Sequence, residues 1–464
     1  VNGFQGLDAP STLPSKDWTA RAPRDWATQT QWTRRRLLAA GASATAGTLV
    51  GCVTNPVTGR REFSLVSPAE ELAIDQQYAP HQFSADYGPL KDPGVQSYVA
   101  EVGQRLALVS HRPTMPYSFR VVRASYVNAY AFPGGSIAVT RGILVHLDNE
   151  AQLAALLGHE IGHVCARHAA RQMTSALITQ VLLASAAVGL EQSRHRRTAA
   201  VIAGLGGLGA GLLLARYSRE DERQADALGM GYMVRAGYSP TGMVQLMDLL
   251  VQQERCTPSA LEVMFSTHPM SRERRDTAAE RARTFADAEN APLHRERFMD
   301  RTASVRAQRP VIEAIQQGDE ALGRGDLSAA EGAYRTALRV SPEDYEALLK
   351  ISLCLLARNR PAEARRWAEQ ARQSDPDEPM ALYVLGRTAL ALRDGEHALH
   401  CFTEYERRLP GNPMTVFYKG RSHELLGRRL EAAQLYRQFL GMVQEGEEAD
   451  YARRRLIEWN MAAG

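Results

Sequence analysis

His159-Glu160-Ile161-Gly162-His163 sets two imidazoles four residues apart with a carboxylate beside the first. Residues four apart share one face of a helix, so His159 and His163 can point at a single ion while Glu160 lies next to it. Imidazole nitrogens suit zinc, and a carboxylate beside a metal-bound water is the arrangement for peptide-bond hydrolysis, with Glu160 as general base. A catalytic site of this kind takes a third protein ligand and keeps one position open. The later run Ser218-Arg219-Glu220-Asp221-Glu222-Arg223-Gln224-Ala225-Asp226 supplies carboxylates. Glu220, Asp221 and Glu222 compete for the ligand role, and Asp226, one helical turn past Glu222, is placed to orient an imidazole.

These side chains need an element to hold them. From Ala151 to His168, Leu153, Leu156, Leu157, Ile161 and Val164 recur at helical spacing without a proline, predicting one buried helix. Cys165 falls on another side of that helix from His163 and reads as a core thiol. His268, in Ser266-Thr267-His268-Pro269 with Arg274 six residues on, sits in a loop and can move.

H-E-x-x-H followed by S-R-x-x-E-x-x-A-D resembles the HtpX and CAAX-prenyl-protease group of zinc metallopeptidases. The resemblance implies that Glu222 is the third ligand and that each chain holds one Zn2+. Asn128 to Gly135, followed by Ser136 to Thr140, resembles the group's strand and turn beside the cleft. That makes Asn128, Gly134 and Gly135 candidates for an exposed edge that pairs with an extended substrate. In the periplasmic BepA-like branch the histidine corresponding to His268 can occupy the open zinc position and hold the enzyme latent. A hydrogen bond to the oxyanion and a purely structural role stay open for His268.

Other features bound the setting. The formal charge of +3 is the small difference between 55 basic and 52 acidic residues, so no nucleic-acid partner is expected. Arg34-Arg35-Arg36-Leu37-Leu38, an apolar run and Leu49-Val50-Gly51-Cys52 read as an export segment over 33–52, with Cys52 the site of lipidation. Residues 1–32 are an undefined leader. Leu49-Val50-Gly51-Cys52 resembles the lipobox of bacterial lipoproteins, and by that resemblance Val53, rather than aspartate, implies the periplasmic face of the outer membrane. Two apolar arms, 176–190 and 199–214, are short for membrane spans and flank a basic tip.

From residue 311 the chain repeats: Ala330, Ala364, Ala398 and Ala432 are spaced at the tetratricopeptide period, with Pro342, Pro376 and Pro410 in step. Small residues at Gly318, Ser352, Gly386 and Gly420 and ring-bearing positions at Tyr334, Phe402 and Tyr436 predict four helix pairs, then a terminal helix near 449–461. Cys354 and Cys401 sit in successive repeats, and their pairing is left open.

The expected fold is mainly α: an α-rich zincin metallopeptidase domain (53–290) with a small β-sheet and edge strand, a connector (291–310), then an α-solenoid of tetratricopeptide repeats (311–464). The resemblance implies a zinc endopeptidase of the bacterial envelope, lipid-anchored, acting on misfolded envelope proteins and reaching outer-membrane assembly machinery through its repeats. Two rivals are a periplasmic chaperone or assembly factor with a dispensable zinc site, and an intramembrane protease, which would need several spanning helices.

Overall fold

A computed structural model describes residues 52–187, 217–256, 264, 268 and 272–461. Strands β1 (Cys52–Thr54) and β2 (Arg61–Phe63) form a separate antiparallel ribbon. Helix α1 (Pro68–Ala85) starts at a capping box in which Ser67 and Glu70 satisfy each other's backbone N–H groups, and α2 (Pro93–Leu108) starts at an Asp92 cap. A three-stranded sheet follows: β3 (Ser118–Val122) runs parallel to β5 (Ser136–Thr140), and β4 (Ala129–Ala131) pairs antiparallel on the other side of β5. Beyond it lie α3 (Arg141–Leu144), α4 (Glu150–Cys165), α5 (His168–Ala187), α6 (Arg219–Arg235), α7 (Thr241–Cys256) and α8 (Arg272–Arg283).

Helix α4 is buried on every side, which fits its apolar composition. It is shorter than the sequence suggests. Arg167 takes a left-handed conformation (φ 58°), so the chain turns after Cys165 and His168 begins a new helix. Arg167 is held in that turn by Glu71 (Nε to Oε1, 2.8 Å) and by the Val66 carbonyl. The first apolar arm continues as α5 to Ala187, while the basic tip and the second arm fall outside the described residues. Among the described residues no helix is long and apolar enough to cross a membrane.

The stretch expected as a connector contains two short helices, α9 (Arg295–Arg301) and α10 (Ala303–Ala307). Their Phe298 and Val305 are fully buried in the core around α4, and Arg297 clamps Glu150 at the start of α4. The repeats follow as four helix pairs: α11 (Arg309–Gly323) with α12 (Leu327–Val340), α13 (Tyr345–Ala357) with α14 (Pro361–Ser374), α15 (Met380–Ala391) with α16 (Gly395–Arg408), and α17 (Pro413–Leu425) with α18 (Arg429–Leu440). Helix α19 (Glu447–Glu458) closes the array. Each small residue faces its ring: a Cβ on Gly318, Gly386 or Gly420 would strike Tyr334, Phe402 or Tyr436. In the second pair Ser352 instead donates to the Ala364 carbonyl. Cys354 and Cys401 are buried free thiols.

The repeats clasp the domain that precedes them. One apolar core runs from Tyr78, Phe83 and Tyr130 into Ile315, Leu348 and Ile351. Around it, Arg141 is buried against Asp344 (2.5 and 3.0 Å) and Glu346 (3.0 Å), Arg123 pairs with Asp375 (2.6 Å), and Ser84 donates to Glu378 (2.5 Å).

Arg141→Ala leaves buried Asp344 without its cation and takes one of two from Glu346, which keeps Lys350 (3.5 Å), and should cost about 3–5 kcal/mol in urea unfolding. Lys91→Ala, which removes a largely exposed partner of Asp375, should cost about 1 kcal/mol or less. Equal losses would show that burial does not set the difference. Burial pushes the Glu378 carboxyl up to about 7, against the hydrogen bond from Ser84. The native state therefore favours the protonated form, and stability falls as pH rises from the ordinary carboxyl range through about 7. Glu378→Gln should raise the melting temperature at pH 8 and leave it nearly unchanged at pH 5, as read by calorimetry.

Candidate metal centre

Two helices build the site. Helix α4 begins at Asn149, whose side chain accepts from the Gln152 N–H, and α6 begins at a capping box between Ser218 and Asp221. The helices cross with almost nothing between them. A Cβ on Gly229 would lie 2.7 Å from the His159 nitrogen, and one on Gly162 would lie 2.9 Å from the Ala225 carbonyl oxygen. This backbone contact carries Glu222 onto the histidines: its Oε1 is 3.4 Å from His163 Nε2 and its Oε2 is 3.6 Å from His159 Nε2. Glu220 is exposed, and Asp221 is spent on the cap and on Arg171 (2.6 Å). Of the three competing carboxylates, Glu222 alone reaches both imidazoles.

His268 completes the cluster. Its Nδ1 lies 2.9 Å from Glu222 Oε1 and 3.3 Å from His159 Nε2, and its Nε2 lies 3.9 Å from Glu160 Oε1. His159, Glu160, His163, Glu222 and His268 are all buried.

The donor set fits zinc. A tetrahedral ion with ligands at about 2.0–2.1 Å has ligand atoms about 3.3–3.4 Å apart. Here His159 Nε2 and His163 Nε2 are 3.0 Å apart, and the remaining separations of 2.9, 3.3, 3.4 and 3.6 Å bracket that edge. The outer hydrogen bonds fix the tautomers. His168 Nε2 faces the Gln224 amide oxygen (3.0 Å), which can only accept, so His168 Nδ1 is bare. His163 Nδ1, 2.7 Å away, must then donate, leaving His163 Nε2 a lone pair aimed inward. His159 Nδ1 donates to Asp226 Oδ1 (2.8 Å), which bares its Nε2 as well. Two bare nitrogens this close repel unless a cation lies between them.

Electrostatics agree with that arrangement. Burial drives the His163 imidazole well below its ordinary range and pushes His168 down to about 4, so both are neutral, the form that ligates. Burial also raises Glu160, strengthening it as a base. Arg274 grips Asp226 with two hydrogen bonds of 2.8 Å and lies 2.6 Å from Glu222 Oε2.

Asp226 acts here through His159 and touches no position where a scissile bond would sit, so it is a positioning residue. Sequence reasoning named Arg274 without a role and missed His168, Gln224 and Tyr217. Tyr217 stacks on His163 with ring centroids 4.0 Å apart. His168 lies five residues past His163, off the helical spacing that relates His159 to His163, so spacing gave no signal for it.

The expected exposed edge is corrected in one respect. Strand β4 is an edge in its hydrogen bonding, yet Asn128, Ala129, Tyr130, Ala131 and Phe132 are all buried. Ala131, Phe132 and Pro133 border a small cleft with His163 and Tyr217, while Asn128 lies at the other end of the strand against Thr140. Gly135 has φ +100° in the turn, and a Cβ on Gly134 would lie 2.5 Å from the Asp75 side chain, so both glycines have structural work there. Cys165 is buried, with its sulfur 3.5 Å from the Tyr117 hydroxyl.

Residues 93–282 match peptidase family M48, and residues 315–379 and 383–447 match the tetratricopeptide repeat. The putative beta-barrel assembly-enhancing protease of Vibrio cholerae is 30% identical over 225 residues, 47% of this chain and 46% of that one. The beta-barrel assembly-enhancing protease of Escherichia coli K12 is 29% identical over 233 residues, 49% of this chain and 47% of that one. The mitochondrial metalloendopeptidase OMA1 of Schizosaccharomyces pombe is 33% identical over 225 residues, 47% of this chain and 63% of that one. The chain spans about half the length of the first curated relatives it matches.

His168→Ala removes the acceptor that fixes the His163 tautomer and should weaken zinc binding about 10–100-fold. Competition with a chromogenic chelator measures this, and circular dichroism checks the fold. Affinity within twofold of wild type would remove His168 from the relay.

Proposed function

We propose that this chain, whose residues 93–282 match peptidase family M48 and whose later residues match the tetratricopeptide repeat, is a zinc-dependent endopeptidase of the bacterial cell envelope, cleaving misfolded or misassembled periplasmic and outer-membrane proteins. The observation that carries this reading is the convergence of His159, His163 and Glu222 at one point with Glu160 beside it. A zinc ion held there supplies Lewis-acid activation of a water and of the scissile carbonyl. The chain's own residues do the rest. Glu160 takes the proton from the attacking water and delivers it to the leaving amine, and its raised proton affinity suits both halves of that task. Asp226 and His168 keep the ligand nitrogens unprotonated, and Arg274 holds Glu222 and Asp226 in register.

His268, 2.9 Å from Glu222 and 3.9 Å from Glu160, is read as standing where water is needed, which would make a site closed in this way latent. Its departure would open the fourth ligand position and admit substrate to a base that is now 1% exposed. The names of the bacterial relatives support an envelope role, and tetratricopeptide arrays serve as protein-binding scaffolds. Because the array also holds its own peptidase domain, clients must use the surface that docking leaves free. Attachment through a lipidated Cys52, exposed at the start of β1, completes the reading.

The burial of the whole site behind His268 favours one rival, an assembly factor whose zinc site is not turned over. Casein or client cleavage by the full chain separates them. Glu160→Gln should lose about 100-fold or more in rate while keeping one zinc by elemental analysis, and His268→Ala should gain about tenfold. If neither wild type nor His268→Ala cleaves, and Glu160→Gln repairs envelope defects as well as wild type, the peptidase reading falls and the assembly factor stands.

A further inference from the structure

We infer that the outer face of the β1–β2 ribbon is a membrane-contact surface that seats the catalytic domain on a phospholipid bilayer. The register pairs Cys52 with Phe63 and Thr54 with Arg61, so these four side chains share one face of the ribbon. All four are exposed, whereas Val53 and Glu62, on the opposite face, are half-buried. Phe63 is 55% exposed and is the only aromatic among the exposed large hydrophobic residues of the described chain. Arg61 and its neighbour Arg60 are exposed and have no ion-pair partner among the described residues.

A lone exposed apolar side chain is ordinary on a protein surface. Position makes this one different. The basic-apolar segment 33–51 runs directly into Cys52, so any attachment of that segment or of Cys52 to a bilayer brings Phe63 to the headgroup layer. An aromatic ring with the exposed Arg61 guanidinium two residues away on the same face is the side-chain chemistry of that layer, the ring lying at its depth and the cation meeting lipid phosphates. A bilayer is therefore the favoured occupant over a protein partner.

The ribbon is also a strut. Asn55 accepts from the Val57 and Thr58 N–H groups, donates to Glu62, and its amide reaches the Ala166 carbonyl at the end of α4 (3.5 Å). The Leu65 N–H donates to Thr174 on α5, and Arg167 donates to the Val66 carbonyl. His163 lies in the last turn of α4. Seating the ribbon thus fixes the direction in which the metal centre faces relative to the membrane, which deepens the envelope reading and rests on it for what brings the ribbon to the bilayer.

The test places p-benzoylphenylalanine at Phe63 in the full chain, on vesicles of phosphatidylethanolamine and phosphatidylglycerol (3:1), with the same probe at Leu430, an exposed site on the repeats, as control. Irradiation should give phospholipid adducts at position 63 at least fivefold above position 430. Cys52→Ser carrying the same probe separates the two readings. Membrane-bound protein with no excess of lipid adduct at position 63, or with protein adducts alone, overturns the ribbon surface and leaves the anchor standing. Cys52→Ser that stays bound with the excess intact overturns the anchor and supports the ribbon. Protein that neither binds vesicles nor forms adducts overturns both.

Discussion

The contact of two bare backbones, α4 and α6, is the constraint from which the rest of the site follows. Glycines at 158, 162 and 229 let the helices approach until peptide groups touch. At ordinary helix spacing of about 8–10 Å a carboxylate on α6 would fall short of two imidazoles on α4. With the helices drawn together, Glu222 meets both histidines and Asp226, one turn on, meets the far side of His159. Arg274 on α8 then closes the arrangement from the third direction.

Charge balance is the second condition. Glu160, Glu222 and Asp226 are all buried in one small volume, which would be ruinous without compensation. Arg274 offsets part of it directly, and the bare imidazole nitrogens complete a donor set that asks for a divalent cation. The same logic recurs at Glu150, which accepts from Tyr98, Tyr238 and Arg297, and at Glu71, which joins Arg112 to Arg167. Buried carboxylates met by fixed donors are this fold's habitual way of tying helices together.

How much was legible in the sequence follows the range of the interactions. His159, Glu160 and His163 depend on the pitch of one helix, and the repeat register on a fixed period, so both are readable from spacing. Glu220, Asp221 and Glu222 are not separable that way. Successive residues differ by about 100° around a helix, and which direction faces α4 is decided by the crossing; the resemblance, rather than spacing, pointed to Glu222. His168 was hidden because Arg167 breaks the helix in a left-handed conformation that a non-glycine residue seldom adopts. Strand β4 was placed correctly as an element, but its burial comes from α4 packed beside it. The docking of the repeats was invisible, since Arg141, Arg123, Asp344 and Asp375 read as surface charges until the two halves meet.

That docking separates the modules seen in the sequence from the units of the folded molecule. Arg141 finds its carboxylates two hundred residues away, and one apolar core is shared across the join. A boundary drawn near residue 310 divides two sequence families but cuts through a single interior. Excising either half would expose apolar surface and strand charged groups that have no partner of their own. The repeats are thus a second wall of the domain that holds the metal centre, sharing one interior with the sheet beside α4.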